Sequence, residues 1–169
     1  DERIDEAVQT LSAELRAELM SLILARDPDA FEQLIVDLMV AMGYGGGGDN
    51  RRIGRSGDGG VDGIINEDRL GLDRVYLQAK RYAPETTVGP NQIREFAGAL
   101  MLRNADKGVF VTTSSFTRGA AEEAERMRQR IVLIDGARLT ELMARHDVGV
   151  RLKRAVHIKE IDLNYFEDD

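Results

Sequence analysis

Gly57-Asp58-Gly59-Gly60-Val61-Asp62-Gly63-Ile64-Ile65 is followed, after a polar connection, by Val75-Tyr76-Leu77-Gln78-Ala79-Lys80. The reading of these two runs decides the fold. Each is short, apolar and bounded by turn residues, as a buried strand is. The connection Asn66–Leu72 suits a hairpin loop with a little strand at each end. Strand side chains alternate, so Val75, Leu77 and Ala79 share one face and Tyr76, Gln78 and Lys80 the other. Antiparallel pairing then brings Asp62 towards Gln78 and Lys80 at one end of the sheet. A carboxylate, an amide and an ammonium converge there. Taken singly, each is as readily a solvated group at a sheet edge; taken together, they mark a candidate site.

Outward from this pair, the chain alternates helical and strand-like segments. Ile4, Val8, Leu11, Leu15, Leu19, Leu22 and Ile23 fall at helical spacing over residues 3–24. This predicts a packing helix or a connector. Asp27-Pro28 is an N-cap followed by a first-turn proline. Phe31, Leu34, Ile35, Leu38 and Met42 then mark one helical face, and Gly43 a natural stop. Glu32 sits beside that apolar stripe. It is either an ordinary acid near a helix start or an extra ligand leaning over the sheet.

Residues 44–60 are rich in glycine, with Arg51, Arg52, Arg55 and Ser56 interleaved and Ile53 a candidate for a short strand. No Gly-Lys-Ser/Thr closes the run, so it is not a P-loop. It is a loop, or one whose arginines approach a phosphate backbone. Asp58 reads as a turn residue. Gly63 next to Asp62 should leave space on the sheet surface.

Beyond Lys80, Arg81 and Tyr82 extend a positive edge and Pro84 ends the strand. A helix is predicted over 91–103, with Gln92 at its start, and a buried strand over 107–112. Ser114, Ser115 and Arg118 lie in a hydroxyl-rich turn into a helix over 119–129. The turn is an N-cap, or a set of donors for phosphate. A second buried strand covers 131–134, a short helix 139–146, and an alternating basic segment, 148–158, reads as a last strand. The acidic tail from Lys159 is expected to be mobile or to lie along the surface. Alternating helices and strands after an initial hairpin predict a three-layer αβα fold around a central mixed β-sheet.

Composition narrows the chemistry. The 169 residues include no cysteine and two histidines. Thiolate sites, disulfides and cysteine nucleophiles are excluded, and histidine-based zinc sites are disfavoured. Any metal would take oxygen ligands, which suits Mg²⁺ or Mn²⁺. No apolar run approaches the roughly 20 residues of a membrane helix, and no signal peptide is visible, so a cytoplasmic location without membrane contact is expected. The formal charge is −7, at first sight unfavourable for nucleic acid. Residues 1–27 and 159–169 each carry −4, however, and the body between them carries +1. Local fields in a groove govern phosphate binding more than this total does.

Phe31-Glu32, Gly57 to Ile64, Gln78-Ala79-Lys80-Arg81-Tyr82, Lys107 to Ser114 and Ile134-Asp135-Gly136 together resemble the catalytic domain of the Mrr-type restriction endonucleases, in the PD-(D/E)xK nuclease superfamily. The likeness runs from about Phe31 to about Val150. It implies a restriction-endonuclease-like fold, a divalent metal, and cleavage of DNA phosphodiesters, notably in methylated foreign DNA. It also implies a winged-helix DNA-recognition domain before Asp1, which accords with a chain that does not open on methionine. The domain plan is then a helix or connector at 1–27, the catalytic domain at 28–158 and an acidic tail at 159–169.

Carried over by position, Asp62 matches the metal-binding aspartate, Gln78 the second ligand, Lys80 the catalytic lysine and Glu32 the helix glutamate. Gln78 departs from the pattern, since its amide oxygen can ligate magnesium but carries no charge. Val61 stands where the superfamily's proline is expected. Two other functions remain open at this point: a nuclease-like module that grips DNA without cutting, and a nuclease for branched DNA. A homodimer is compatible with cutting both strands.

Overall fold

A computed structural model describes residues 2–46 and 60–167, together with the backbone of Arg51 and Arg52. Ile53, Arg55, Ser56 and Asp58 lie outside the described residues, as do the side chains of Arg51 and Arg52.

The order is α1 (Glu2–Leu24), α2 (Pro28–Ala41), β1 (Arg51–Arg52), β2 (Gly63–Asn66), β3 (Arg74–Lys80), α3 (Pro90–Leu102), β4 (Lys107–Thr112), α4 (Arg118–Arg126), β5 (Arg130–Ile134) and α5 (Gly136–Arg145), then a single 3₁₀ turn at Leu163–Phe166. The strands lie side by side in chain order. β1, β2 and β3 are antiparallel; β3, β4 and β5 are parallel. The sheet is therefore mixed, as the sequence pattern predicts.

Alternation along β3 divides the core in two. Val75, Leu77 and Ala79 pack with Leu19 and Ile23 of α1, Phe31 and Ile35 of α2, and Leu139 of α5. Tyr76 on the opposite face packs with Ile93, Phe96 and Leu100 of α3 and Ala120 of α4. Phe110 of β4 sits edge-on to both Phe96 and Phe116, with ring centroids 5.6 Å apart in each pair. Burying an aliphatic or aromatic side chain here contributes roughly 1.5–3 kcal/mol, and the two layers of helices supply this on both faces of the sheet.

The helix boundaries follow from local chemistry. Asp27, Thr117 and Asp135 each accept a backbone N–H three residues on, starting α2, α4 and α5. α5 thus begins three residues before the predicted Leu139, because Asp135 caps it. Gly43, at φ +100°, follows the end of α2. The β2–β3 hairpin turns on Asp68, whose carboxylate accepts N–H groups from Leu70, Leu72 and Asp73. These bonds, that from Asp73 foremost, hold its pKa below the ordinary 3.8.

Two segments depart from the sequence reading. α4 stops at Arg126, before the predicted Gln129, because Met127 already has extended backbone and leads into β5. The alternating segment 148–158 forms no strand. Val148 and Val150 pack on the core, but residues 151–162 run without regular structure and their side chains are exposed. Alternation alone does not make a strand; it needs an open sheet edge within reach.

Candidate active site

The site is built at the end of β2 and β3. Register pairs Gly63 with Leu77, so Asp62, one residue before β2, stands opposite Gln78. Its backbone N–H donates to the Leu77 carbonyl at 2.8 Å. Its carboxylate Oδ2 accepts the backbone N–H of Ala79, also at 2.8 Å. A side chain thus takes over from the backbone where the β2–β3 ladder ends. That fixes the half-buried Asp62 carboxylate against the strand that carries Gln78 and Lys80.

Gln78 is only 3% exposed. With its amide oriented as its neighbours require, the NH₂ group donates to the Gly60 carbonyl and the oxygen accepts from Lys80 Nζ at 3.1 Å. Gly60, at φ +79°, turns the chain into Val61 and Asp62. Gln78 therefore ties this turn to the lysine. Lys80 is anchored through its own carbonyl, which accepts Thr112 Oγ1 at 2.9 Å and the Thr113 N–H at 3.2 Å. Gln78 and Lys80 are bonded to each other, and Asp62 is fixed beside them by the Ala79 N–H between the two. Gly63 is buried opposite Leu77 rather than opening the sheet surface.

Glu32 is the fifth residue of α2 and is buried. Its helix covers the face formed by Val75, Leu77 and Ala79, whereas Gln78 and Lys80 alternate to the other. Asp62 and Gln78 offer oxygen donors to a hard divalent cation. No group of three His, Asp or Glu side chains that could hold a metal exists among the described residues. An amide in place of a carboxylate at Gln78 accounts for part of that shortfall.

The remaining candidates are dispersed. Arg81 Nη1 donates to the Leu24 carbonyl at 2.9 Å, capping the end of α1, and its Nε is buried with no hydrogen-bond partner among the described residues. Ser114 is buried, with its Oγ 3.2 Å from Thr112 Oγ1. Ser115 is exposed and lines a cleft of about 560 Å³ between α1 and the start of α5. Arg118 is exposed and pairs with Glu122, one turn on, at 3.0 Å.

Two structural roles were not anticipated. Thr113 Oγ1 donates to the Tyr82 carbonyl at 2.6 Å and accepts its N–H at 2.7 Å, extending the β3–β4 pairing past the site. Gln92 accepts the Gly89 N–H at 2.6 Å and donates to the Tyr82 hydroxyl at 3.2 Å. The Gly-Pro-Asn-Gln sequence at 89–92 signalled the first Gln92 contact, since a Gln three residues into a helix suits a capping box.

Comparison with known proteins agrees with this architecture. A family model described as "Restriction endonuclease" (Mrr_cat) matches residues 23–143. The chain is 41% identical over 168 residues to the type IV methyl-directed restriction enzyme EcoKMrr of Escherichia coli (strain K12). The match covers 99% of this chain and 54% of that enzyme, so the chain spans about half the relative's length. It resembles the structure of MspJI restriction endonuclease in complex with a 27-mer oligonucleotide: TM-score 0.60, 32% identity, 79% of this chain and 31% of that one. It shares its fold with the DNA modification-dependent restriction endonuclease AspBHI: TM-score 0.62, 23% identity, 81% and 36% covered. No described helix is long and apolar enough to cross a membrane. The chain belongs to the Mrr-type restriction endonuclease domain family, with the restriction-endonuclease-like fold of the PD-(D/E)xK superfamily.

Proposed function

We propose that the domain hydrolyses DNA phosphodiester bonds with the help of Mg²⁺ or Mn²⁺, and that the protein it belongs to restricts methylated foreign DNA. The observation that carries this reading is the convergence of Asp62, held by the Ala79 N–H, with the bonded pair Gln78 and Lys80 at the end of β2 and β3. Membership of a restriction-endonuclease family supports it. The relative's printed description as methyl-directed supports the substrate.

Hydrolysis of a phosphodiester needs an in-line water, neutralisation of developing charge and help for the leaving oxygen. A divalent cation, when bound, supplies Lewis acidity and lowers the pKa of water. Asp62 holds a negative oxygen in a fixed place, because its carboxylate is oriented by the Ala79 N–H. Gln78 adds a neutral acceptor oxygen. Glu32 is assigned as a further acid from α2. Lys80 faces the scissile phosphate and either orients the water or stabilises the charge on the non-bridging oxygens. With only one charged ligand on the strand pair, affinity for the cation depends on substrate phosphate. The arginines at 51, 52, 55 and 118 and the hydroxyls of Ser56 and Ser115 are proposed as backbone-phosphate contacts; Arg81, bonded to the Leu24 carbonyl, and the buried Ser114 serve the fold instead. Recognition of modified bases is assigned to a winged-helix domain N-terminal to Asp1, double-strand cutting to a homodimer, and the protein to the cytoplasm.

A second reading has one observation in its favour. Gln78 is neutral and already bonded to Gly60 and Lys80, as in a module that grips DNA but does not cut. A plasmid assay separates the two. Cleavage or nicking of methylated plasmid in the presence of Mg²⁺ or Mn²⁺, lost on chelation and in Lys80→Ala, is the expected result. Retention of the plasmid without any nicking, with either metal, favours the binding module.

A further inference from the structure

We propose that the Tyr82 hydroxyl donates to the DNA backbone phosphate next to the one at Lys80, and that Gln92 is the positioning residue that aims it. The inference rests on the nuclease reading for the presence of DNA at Lys80.

Alternation continues past the end of β3. Arg81 reaches back to the Leu24 carbonyl of α1. Tyr82 packs on the opposite layer, the one built from Tyr76, Ile93, Phe96 and Leu100. Tyr82 therefore shares a face with Gln78 and Lys80, and stands two residues, roughly 6–7 Å of extended chain, beyond the lysine. Its backbone is fixed although the strand has ended, because Thr113 Oγ1 bonds both its N–H and its carbonyl. The side chain is half-buried. Its ring rests on the core and its hydroxyl is the polar tip.

The direction of one proton carries the argument. Gln92 Oε1 accepts the Gly89 N–H at 2.6 Å, which fixes the orientation of the amide. The NH₂ group must then face Tyr82, and it donates to the hydroxyl at 3.2 Å. An amide NH₂ only donates, so the hydroxyl oxygen is the acceptor in this bond and its own proton points elsewhere. Among the described residues no acceptor takes that proton. A half-buried hydroxyl held with its donor side unused is poised for an incoming acceptor. Beside an ammonium, on the face that carries the candidate chemistry, a phosphate oxygen is the fitting one: it accepts without donating, and tyrosine is among the side chains that grip the backbone in this way. The spacing of Lys80 and Tyr82 is wider than one phosphate group, which gives them neighbouring phosphates of one strand.

The test is equilibrium binding of a short, fluorescein-labelled methylated duplex, read by anisotropy with Ca²⁺ in place of Mg²⁺, beside plasmid nicking with Mg²⁺. Tyr82→Phe keeps the ring and loses the donor. Gln92→Glu still accepts the Gly89 N–H but offers the hydroxyl an acceptor, which turns its proton inward. Each variant should bind the duplex on the order of 10- to 100-fold more weakly, the worth of one hydrogen bond to a charged group, with a melting temperature near that of the wild type. The double variant should bind no more weakly than Tyr82→Phe, because Gln92 acts through the hydroxyl; a carboxylate that merely repelled DNA would lower affinity further. Wild-type affinity in either single variant, a further loss in the double variant, or a wild type that does not bind the duplex would each overturn the proposal. A wild type that binds the duplex and nicks no plasmid defeats the nuclease reading alone, and the ratio of affinities still decides the Tyr82 contact.

Discussion

The Asp62 carboxylate accepts the backbone N–H of Ala79 at 2.8 Å, so the residue with the best claim to bind a cation also terminates the sheet ladder. Structure and chemistry are therefore separable at this position. Asp62→Ala leaves a buried N–H without a partner and should cost about 1–3 kcal/mol. Asp62→Asn keeps an acceptor oxygen and should lose much less, while both lose cleavage. Urea unfolding beside a plasmid-nicking assay checks this; equal destabilisation by the two variants would contradict it.

Gln78→Glu is expected to act in opposite directions on stability and metal affinity. A carboxylate there cannot donate to the Gly60 carbonyl, and the two oxygens repel. The metal-free variant should be less stable by about 1–3 kcal/mol. It should also gain affinity for Mn²⁺, since a second charged ligand joins Asp62. Calorimetric titration with Mn²⁺ and thermal melts with and without the ion give both readings.

Thr113 joins the ends of β3 and β4 through both polar groups of the Tyr82 backbone. Thr113→Val preserves shape and removes both bonds. The cost should be about 1–3 kcal/mol, read from the unfolding midpoint.

Two glycines should respond oppositely to alanine. At Gly136 an added Cβ would stand 2.1 Å from the Thr113 carbonyl oxygen, which is backbone and cannot step aside. Gly136→Ala should lose roughly 3 kcal/mol or more. Gly98, inside α3, has open space around its Cβ position. Gly98→Ala should gain about 0.5–1 kcal/mol from helix propensity.

Acid should weaken the β2–β3 turn. The folded-state pKa of Asp68 lies below 3.8, so its contribution is fully present above that value and is lost as pH falls through the lower, folded one. The difference in melting temperature between the wild type and Asp68→Ala should be present at neutral pH and vanish in strong acid. A difference that persists there would overturn the assignment.

Much of this was legible in the chain. The period-two pattern at 75–80 placed Gln78 and Lys80 on one face, and the hairpin put Asp62 opposite them. Asp27-Pro28 marked the start of α2. What the sequence could not give was the choice between local and tertiary partners. Arg81 reads as one more cation beside Lys80, yet its guanidinium caps α1, a helix some sixty residues away in sequence. Residues 148–158 alternate like a strand, but whether an edge lies within reach depends on the face that α5 occupies. Ser114 reads as a surface hydroxyl and is buried, because the end of β4 turns inward against Gly136, whose N–H donates to the Ser114 carbonyl.

The strict alternation along β3 acts as a parity check. A one-residue slip against β2 would send Lys80 into the layer now filled by α2 and α5 and turn Leu77 towards the site. The core then fails along with the proposed catalytic group. A molecule of this protein that has folded at all has folded with its lysine on the correct side, and no separate device is needed to guard the chemistry against misregistered copies.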